Sequence, residues 1–193
     1  MQMLGPKTSA QIPAATRQAV VVIGEAPDSS QATTVLYERG AEGWKVSSHP
    51  WPARNGGRGW TRNKRDGDQR SPIGVFGLTV AGGLLADPGT TFAYEQTEGF
   101  TVAGRDVKGE LFAGAFDYAV AVDVSRKPWN GPLDGILPRS GSGGEAIWIY
   151  ADDARPTRGS VSLSRGRMKE LLRWLDPSSR PVVVMGDASA LGR

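Results

Sequence analysis

Short runs rich in β-branched and aromatic residues, each bounded by glycine or proline, recur along this chain of 193 residues. Such runs are typical of β-strands, because branched and aromatic side chains pack well on a pleated surface while Gly and Pro favour turns. Gly and Pro together make up 39 of the 193 residues (26 and 13), a share below that of disordered chains. The sequence therefore predicts a loop-rich, mostly β protein with strands near residues 19–24, 33–38, 44–48, 74–80, 116–124, 146–151, 160–163 and 181–185.

One clear helix is predicted between Ser164, a suitable N-cap, and Pro177, which cannot continue a helix. Its apolar residues recur at the i, i+3, i+4 and i+7 spacing of one helix face: Met168, Leu171, Leu172 and Leu175. The chain is 39% hydrophobic, and its length suits a single core. We therefore expect one domain over residues 1–193.

Composition argues against several classes of site. The chain has no cysteine and a single histidine, His49, so disulfides and thiolate metal sites are excluded and a zinc site is disfavoured. We expect no metal and no other cofactor. The longest apolar runs, such as residues 19–23 and 118–122, are far shorter than a membrane span. Residues 1–7 lack the apolar region of a signal peptide.

A cluster of basic residues surrounds Trp60, and it consists of Arg54, Arg58, Arg62, Lys64, Arg65 and Arg70. Basic residues beside an aromatic ring are one signature of nucleic-acid binding. The net charge is only +3, however, and no helix-turn-helix, RRM or zinc pattern accompanies the cluster. Nucleic acid is therefore not the expected partner.

Two segments carry a resemblance to a known family. Residues 67–76 read Gly-Asp-Gln-Arg-Ser-Pro-Ile-Gly-Val-Phe, and residues 150–163 read Tyr-Ala-Asp-Asp-Ala-Arg-Pro-Thr-Arg-Gly-Ser-Val-Ser-Leu. The first matches the Gly-Asp-x-Arg-Ser/Thr-Pro-x-Gly-x-Phe signature of YkuD-type L,D-transpeptidases, and the second resembles the strand and turn that hold the histidine and cysteine of that family. The resemblance covers roughly residues 8–187. It implies a β-sandwich or mixed-sheet fold, a role in peptidoglycan cross-linking, and a peptidoglycan stem peptide as ligand.

Both chemical residues of that family are replaced here. The resemblance aligns the family's histidine with Tyr150, its Ser/Thr with Thr157, its glycine with Gly159 and its cysteine with Ser160. In the family reaction a thiolate attacks a peptide carbonyl and an amine then resolves the thioester. Serine needs a positioned base for such an attack. A phenol with a pKa of about 10 is a poor base at neutral pH.

Other residues of the two segments have supporting roles in this interpretation. Asp68 is expected to accept backbone amides beside the cleft, and Arg70 is expected to pair locally or to hold a substrate carboxylate. Arg158 is a further candidate for cleft support. Gly159 allows the tight turn before Ser160, and amides of such a turn can point at an oxyanion or a carboxylate.

Three functions stay open on the sequence alone. The first is a catalytically degenerate domain that still binds peptide stems. The second is an acyltransferase or hydrolase of changed chemistry, in which Asp152, Asp153 or His49 activates Ser160. The third is a structural or interaction module that reuses the fold. The sequence also does not distinguish a natural from an engineered origin for Ser160 and Tyr150.

The remaining expectations concern the cellular compartment and two further segments of the chain. The resemblance implies the cell envelope if a leader has been removed, and the cytoplasm if the chain is complete as given. Residues 128–144 are rich in Gly, Pro and Ser and are predicted to form a long loop. Val124 and Ser125 stand where the family strand is typically followed by Asn.

Overall fold

The computed structural model describes residues 4–100, 114–124, 146–152 and 155–193. The predicted loop at 128–144, Ser125 and Asp153 lie outside the described residues. The strands are β1 (Gln18–Gly24), β2 (Gln31–Gly40), β3 (Gly43–Val46), β4 (Trp51–Arg54), β5 (Trp60–Thr61), β6 (Ser71–Pro72), β7 (Gly74–Gly83), β8 (Tyr94–Gln96), β9 (Ala119–Val122), β10 (Ile147–Ala151), β11 (Val161–Leu163) and β12 (Val182–Asp187). The helices within these residues are α1 (Pro6–Ser9), α2 (Arg165–Trp174) and α3 (Ala188–Leu191), with a 3-10 turn at Pro177–Ser179.

The main sheet closes on itself. Its strands follow the order β1-β12-β7-β9-β10-β11-β4-β2, and β2 pairs with β1 to complete the ring. The β1–β12 and β10–β11 pairs are parallel, and the other pairs of the ring are antiparallel. Outside the ring, strand β3 pairs with β2 and strand β8 pairs with β7. The prediction of a mostly β chain is confirmed for the described residues. Of the two expected architectures, a sandwich or a mixed sheet, the structure has a mixed sheet, and this sheet is closed.

The inner face of the closed sheet holds the largest apolar cluster. Every strand of the ring contributes to it, for example through Val20 of β1, Ile149 of β10 and Leu163 of β11. The apolar stripe of α2 belongs to the same cluster, and Met168, Leu171, Leu172 and Leu175 are fully buried. The alternation of β-strand side chains directs the neighbouring residues of β10, Trp148 and Tyr150, to the opposite face, where they join a second cluster.

The predicted helix is confirmed, with Ser164 as N-cap accepting a hydrogen bond from the Arg167 amide. Two four-residue helices and the short strands β5, β6 and β8 were not predicted, because they are too short to produce a periodic pattern. Strand β4 includes a proline, Pro52. Pro52 pairs with Thr33 of β2, while β11 ends at Leu163 opposite Ala53, so β4 is an edge strand on that side and tolerates proline.

Replacing Leu171 by alanine tests the contribution of α2 to the core. Leu171 is fully buried, so the cavity left by the truncation is expected to lower the free energy of unfolding by about 2–5 kcal/mol. Urea denaturation of the two proteins measures the difference. The adjacent Glu170→Ala is the control, since Glu170 is exposed and its expected change is within about 0.5 kcal/mol. Equal effects of the two substitutions would contradict the burial of α2 against the sheet.

Candidate functional site

The carbonyl oxygen of Ser160 joins the two segments that carry the family resemblance. It accepts hydrogen bonds from Thr157 Oγ1 at 2.6 Å and from Ser71 Oγ at 3.0 Å. Thr157 Oγ1 in turn accepts the Gly159 amide at 3.1 Å, and Ser71 Oγ accepts the Gly56 amide at 2.9 Å. Both hydroxyls therefore donate and accept, and they fix the turn immediately before β11.

A third segment of chain supports the same turn. The Thr157 amide donates to the Asn55 carbonyl at 2.9 Å, and the Gly57 amide donates to the Thr157 carbonyl at 2.9 Å. Thr157 is 5% exposed and Asn55 is fully buried. Residues 55–57, 71 and 157–160 thus form one hydrogen-bonded unit, which we call the Ser160 turn.

Gly159 is required by the close packing of this unit. Its φ of +146° lies in a region that other residues rarely adopt. A Cβ atom built on Gly159 would lie 2.9 Å from the Arg70 carbonyl oxygen and 3.1 Å from Lys64 Nζ. The Gly159 amide already donates to Thr157 Oγ1, so it is not the free oxyanion donor that the sequence suggested.

The Ser160 hydroxyl has a backbone partner. Its Oγ accepts a hydrogen bond from the Trp148 amide at 3.1 Å. Within the described part of the chain, no side chain accepts a hydrogen bond from this hydroxyl. A serine hydroxyl needs a neighbouring base to become a nucleophile at neutral pH, and the described neighbours supply none.

Tyr150 lies in the aromatic cluster of the opposite sheet face. Its ring stacks on Phe116 with a centroid separation of 4.1 Å and an interplanar angle of 4°, and Phe116 also meets Trp148 edge to face. Burial, followed by the negative charge of Asp152, raises the pKa of the Tyr150 phenol well above its usual value, although Arg158 and Arg155 oppose the shift. The phenol is therefore neutral and cannot act as a general base.

Asp68 organises the turn at residues 64–70, immediately before β6. Its Oδ1 accepts hydrogen bonds from Lys64 Nζ at 2.6 Å and the Arg70 amide at 2.8 Å, and its Oδ2 accepts the Arg65 amide at 2.8 Å. Burial opposes ionisation, but the Lys64 hydrogen bond and the two amides outweigh it and hold the pKa of Asp68 below its usual value. The Arg70 guanidinium donates to the Trp60 carbonyl at 3.2 Å.

Lys64 is the site residue that sequence reasoning missed. In the sequence Lys64 stands out only as a member of the basic cluster, yet its side chain is 11% exposed and its ammonium lies against Gly159. Its ammonium donates hydrogen bonds to Asp68 Oδ1 at 2.6 Å and to the Arg65 carbonyl oxygen at 2.9 Å. The only signal in the sequence was its i, i+4 spacing from Asp68.

Two residues considered as bases for Ser160 are placed by the structure. Register aligns Arg54 with Ser162, so Ser160 lies beyond one end of β4, whereas the exposed His49 precedes the other end. His49 is therefore remote from Ser160. Asp152 follows β10 and its amide donates to the Leu163 carbonyl at 2.9 Å. Arg158 is exposed and near enough to Tyr150 to affect its pKa.

The described residues contain no group of three or more His, Cys, Asp and Glu side chains suited to a metal ion. Among the described helices, none has both the length and the apolar character needed to cross a membrane.

Comparisons with known proteins give only distant structural similarity. No protein-family model matches the chain, and no curated protein matches it. Bd1075 of Bdellovibrio bacteriovorus is similar over 96% of this chain and 51% of that one, with 17% identity and a TM-score of 0.47. The helical cell shape determining protein Pgp2 of Campylobacter jejuni is similar over 89% of this chain and 48% of that one, with 16% identity and a TM-score of 0.43. The K307A mutant of Pgp2 gives a TM-score of 0.44. This chain spans about half the length of these structures, and a likeness at this level carries no argument about activity.

The Gly159→Ala substitution tests the packing of the Ser160 turn. The new methyl group meets the Arg70 carbonyl and the backbone adopts a strained conformation, so we expect a loss of about 1–3 kcal/mol of stability. Chemical denaturation measures it. Gly166→Ala in α2 is the matched control, because nothing lies within 4 Å of its Cβ position and alanine should add up to about 1 kcal/mol. If Gly159→Ala leaves the free energy of unfolding unchanged, the close approach of the two segments is refuted.

The pH dependence of stability tests the Asp68 contacts. The folded-state pKa of Asp68 lies below the ordinary value of 3.8, so its stabilisation is complete above that value and is lost as the pH falls through the lowered pKa. Urea unfolding should show the original chain more stable than Asp68→Asn at pH 7, with the difference shrinking in acid. Glu42→Gln removes the exposed partner of Lys45 and should differ little from the original at any pH. A difference between the original and Asp68→Asn that does not change with pH would assign the effect to something other than the charge.

Proposed function

We propose that residues 1–193 form one L,D-transpeptidase-like domain that binds peptidoglycan stem peptides at the Ser160 turn without transferring acyl groups. The proposal rests on the resemblance of the two sequence segments and puts the domain in the cell envelope, where that ligand is found. The role of the domain would then be to recognise the peptide rather than to cross-link it.

One observation supports the proposal above all others. The segments at 67–76 and 150–163, matched to the family from sequence alone, meet at the Ser160 carbonyl through the hydroxyls of Ser71 and Thr157. These two hydroxyls belong to different segments, separated by more than 80 residues in the chain. Random similarity of two short motifs gives no reason for them to share one acceptor atom, whereas a common ancestral site does.

The side chains at the two chemical positions argue for binding without catalysis. Ser160 Oγ accepts the Trp148 amide and has no described base beside it. Tyr150 is buried, neutral and stacked on Phe116. A general base alone contributes roughly 10²- to 10⁴-fold in rate, and a serine hydroxyl is a weaker nucleophile than a thiolate.

The charges around the turn suit a peptide with carboxylate groups. Arg155 and Arg158 follow β10 and act on the Tyr150 phenol, and Arg70 lies on the other segment of the junction. Guanidinium groups bind carboxylates in a planar, two-pronged geometry, which gives orientation as well as attraction. Stem peptides carry such groups at their free ends.

Intact-mass spectrometry with a peptidoglycan tetrapeptide and, separately, with a carbapenem tests the absence of acyl transfer. The chain as it stands is expected to form no adduct, whereas the double substitution Tyr150→His with Ser160→Cys is expected to form one, because it restores both chemical groups. The double variant loses the Tyr150–Phe116 stack, so circular dichroism is used to check that it is folded. An adduct on the unaltered chain that is lost in Ser160→Ala but kept in Ser162→Ala would establish a serine acyl-enzyme and overturn the proposal.

Binding is measured separately from chemistry. Titration of the ¹⁵N-labelled chain with the tetrapeptide is expected to shift the amide signals of Gly159, Ser160 and Trp148. Substituting Arg158 by Gln should weaken this binding, and substituting the exposed Lys45, which lies on β3, should not. No binding by the unaltered chain together with no adduct on the double variant would favour a structural module and contradict the proposal.

A further inference from the structure

A cleft of about 440 Å³ opens beside the Ser160 turn, and it is lined by residues of strands β2, β4 and β11 and of the segments that follow β1 and β10. Its polar lining includes Glu25, Gln31, Arg54, Asp152 and Ser162. None of Tyr150, Thr157, Gly159 and Ser160 lines it. The cleft is therefore a separate feature, and the inference drawn from it does not rest on the proposed function.

Register aligns the polar residues of this cleft in one row across the sheet. Ser162 pairs with Arg54, and Arg54 pairs with Gln31. The Glu25 amide donates to the Gln31 carbonyl at 3.1 Å, which continues the row past the end of β1. Because adjacent strands lie about 4.8 Å apart, the backbone positions of Arg54 and Glu25 are about 10 Å apart along the row. The row presents a hydroxyl, a guanidinium, an amide and a carboxylate in that order.

Ser162 carries the strongest indication that something binds here. It is 1% exposed, and its Oγ has no hydrogen-bond partner in the described part of the chain. Buried hydroxyls are almost always hydrogen-bonded, because burial removes the water that would otherwise pair with them. A ligand in the cleft that Ser162 lines would supply the missing partner.

The charge of that ligand is indicated by Arg54. It is half-buried in the cleft wall, and no ion pair or hydrogen bond of its guanidinium is found among the described residues. Glu25, at the other end of the row, is exposed and likewise has no ion pair there. The cleft lining combines one guanidinium with the two carboxylates of Glu25 and Asp152. This balance disfavours a multiply charged anion such as phosphate and favours a ligand that carries both signs.

We propose that this cleft binds a small zwitterion, a free amino acid or a dipeptide, with its carboxylate at Arg54 and Ser162 and its ammonium at Glu25. A carboxylate accepts two parallel N–H···O hydrogen bonds from a guanidinium, and it can also accept a hydrogen bond from the Ser162 hydroxyl. The ammonium of a dipeptide lies several ångströms from its carboxylate, which suits the spacing along the row. The volume of about 440 Å³ accommodates such a ligand.

Calorimetric titration with dialanine, N-acetylalanine and alanyl-alaninamide tests the proposal, and free alanine distinguishes an amino acid from a dipeptide as the preferred size. Dialanine is expected to bind, and removing its ammonium or its carboxylate should each weaken binding about tenfold or more. Failure of dialanine to bind overturns the proposal. Binding of N-acetylalanine as tight as that of dialanine would overturn the ammonium site at Glu25, and equally tight binding of alanyl-alaninamide would overturn the carboxylate site at Arg54.

Variants of the full chain locate the site. Arg54→Gln and Ser162→Val are each expected to weaken dialanine binding, the first by about ten- to a hundredfold because it removes a charged hydrogen-bond donor. Arg58→Gln removes the same charge from an exposed residue outside the cleft and should leave binding unchanged. Thermal melting of each variant checks that it is folded. If Arg54→Gln and Arg58→Gln weaken dialanine binding equally, the effect comes from net charge alone and the proposed site at Arg54 is overturned.

The Ser160→Ala variant separates this inference from the proposed function. Ser160 does not line the cleft, so dialanine should bind this variant as it binds the unaltered chain. A loss of dialanine binding in Ser160→Ala would mean that the ligand occupies the Ser160 turn and would overturn a separate site. Dialanine binding with no tetrapeptide binding would uphold the cleft while the proposed function fails.

Discussion

The carbonyl oxygen of Ser160 accepts two hydroxyl hydrogen bonds, and the arrangement of the whole site depends on this contact. Ser71 and Thr157 are buried, so each hydroxyl would be costly if left without a partner. Each is satisfied on both sides because it also accepts a backbone amide, from Gly56 and Gly159. The contact fixes the start of β11, and the register of β11 in turn fixes which side chains of β10 and β4 meet across the sheet.

This contact leaves the turn independent of the side chain at position 160. Position 160 contributes its carbonyl oxygen to the turn, which any residue supplies. Among the described residues, the one hydrogen-bond partner of its hydroxyl is the Trp148 amide. Position 150 contributes an aromatic ring to the cluster with Phe116, so a phenol there adds packing that an imidazole of smaller area would not. The stability of the turn therefore depends on Thr157, Gly159 and Ser71, and it places no requirement on a thiol or an imidazole.

Local features could be predicted from the sequence, and long-range ones could not. Helix α2 was predictable because its N-cap, Ser164, and its apolar stripe lie within one segment. Most strands were predictable for the same reason. The closure of the sheet through the β1–β2 pair beside the parallel β1–β12 pair depends on contacts across the whole chain, and no local pattern specifies them. The burial of Lys64 against Gly159 also could not be predicted, because a lysine in a basic segment normally faces water.

Side chains alternate between the two faces of a strand, and this alternation explains why the Ser160 turn and the cleft lie on the same side of the sheet. Val161 and Leu163 fill the inner face with the apolar core, so Ser160 and Ser162 must both emerge on the other face. The inner face is filled by side chains, which leaves the outer face of β11 as the surface where a ligand can meet this strand. A one-residue shift of β11 would bury both serines in the core and expose Val161 and Leu163. The apolar core thus enforces the register that brings Ser162 beside Arg54, and the polar row exists because the opposite face is fully packed.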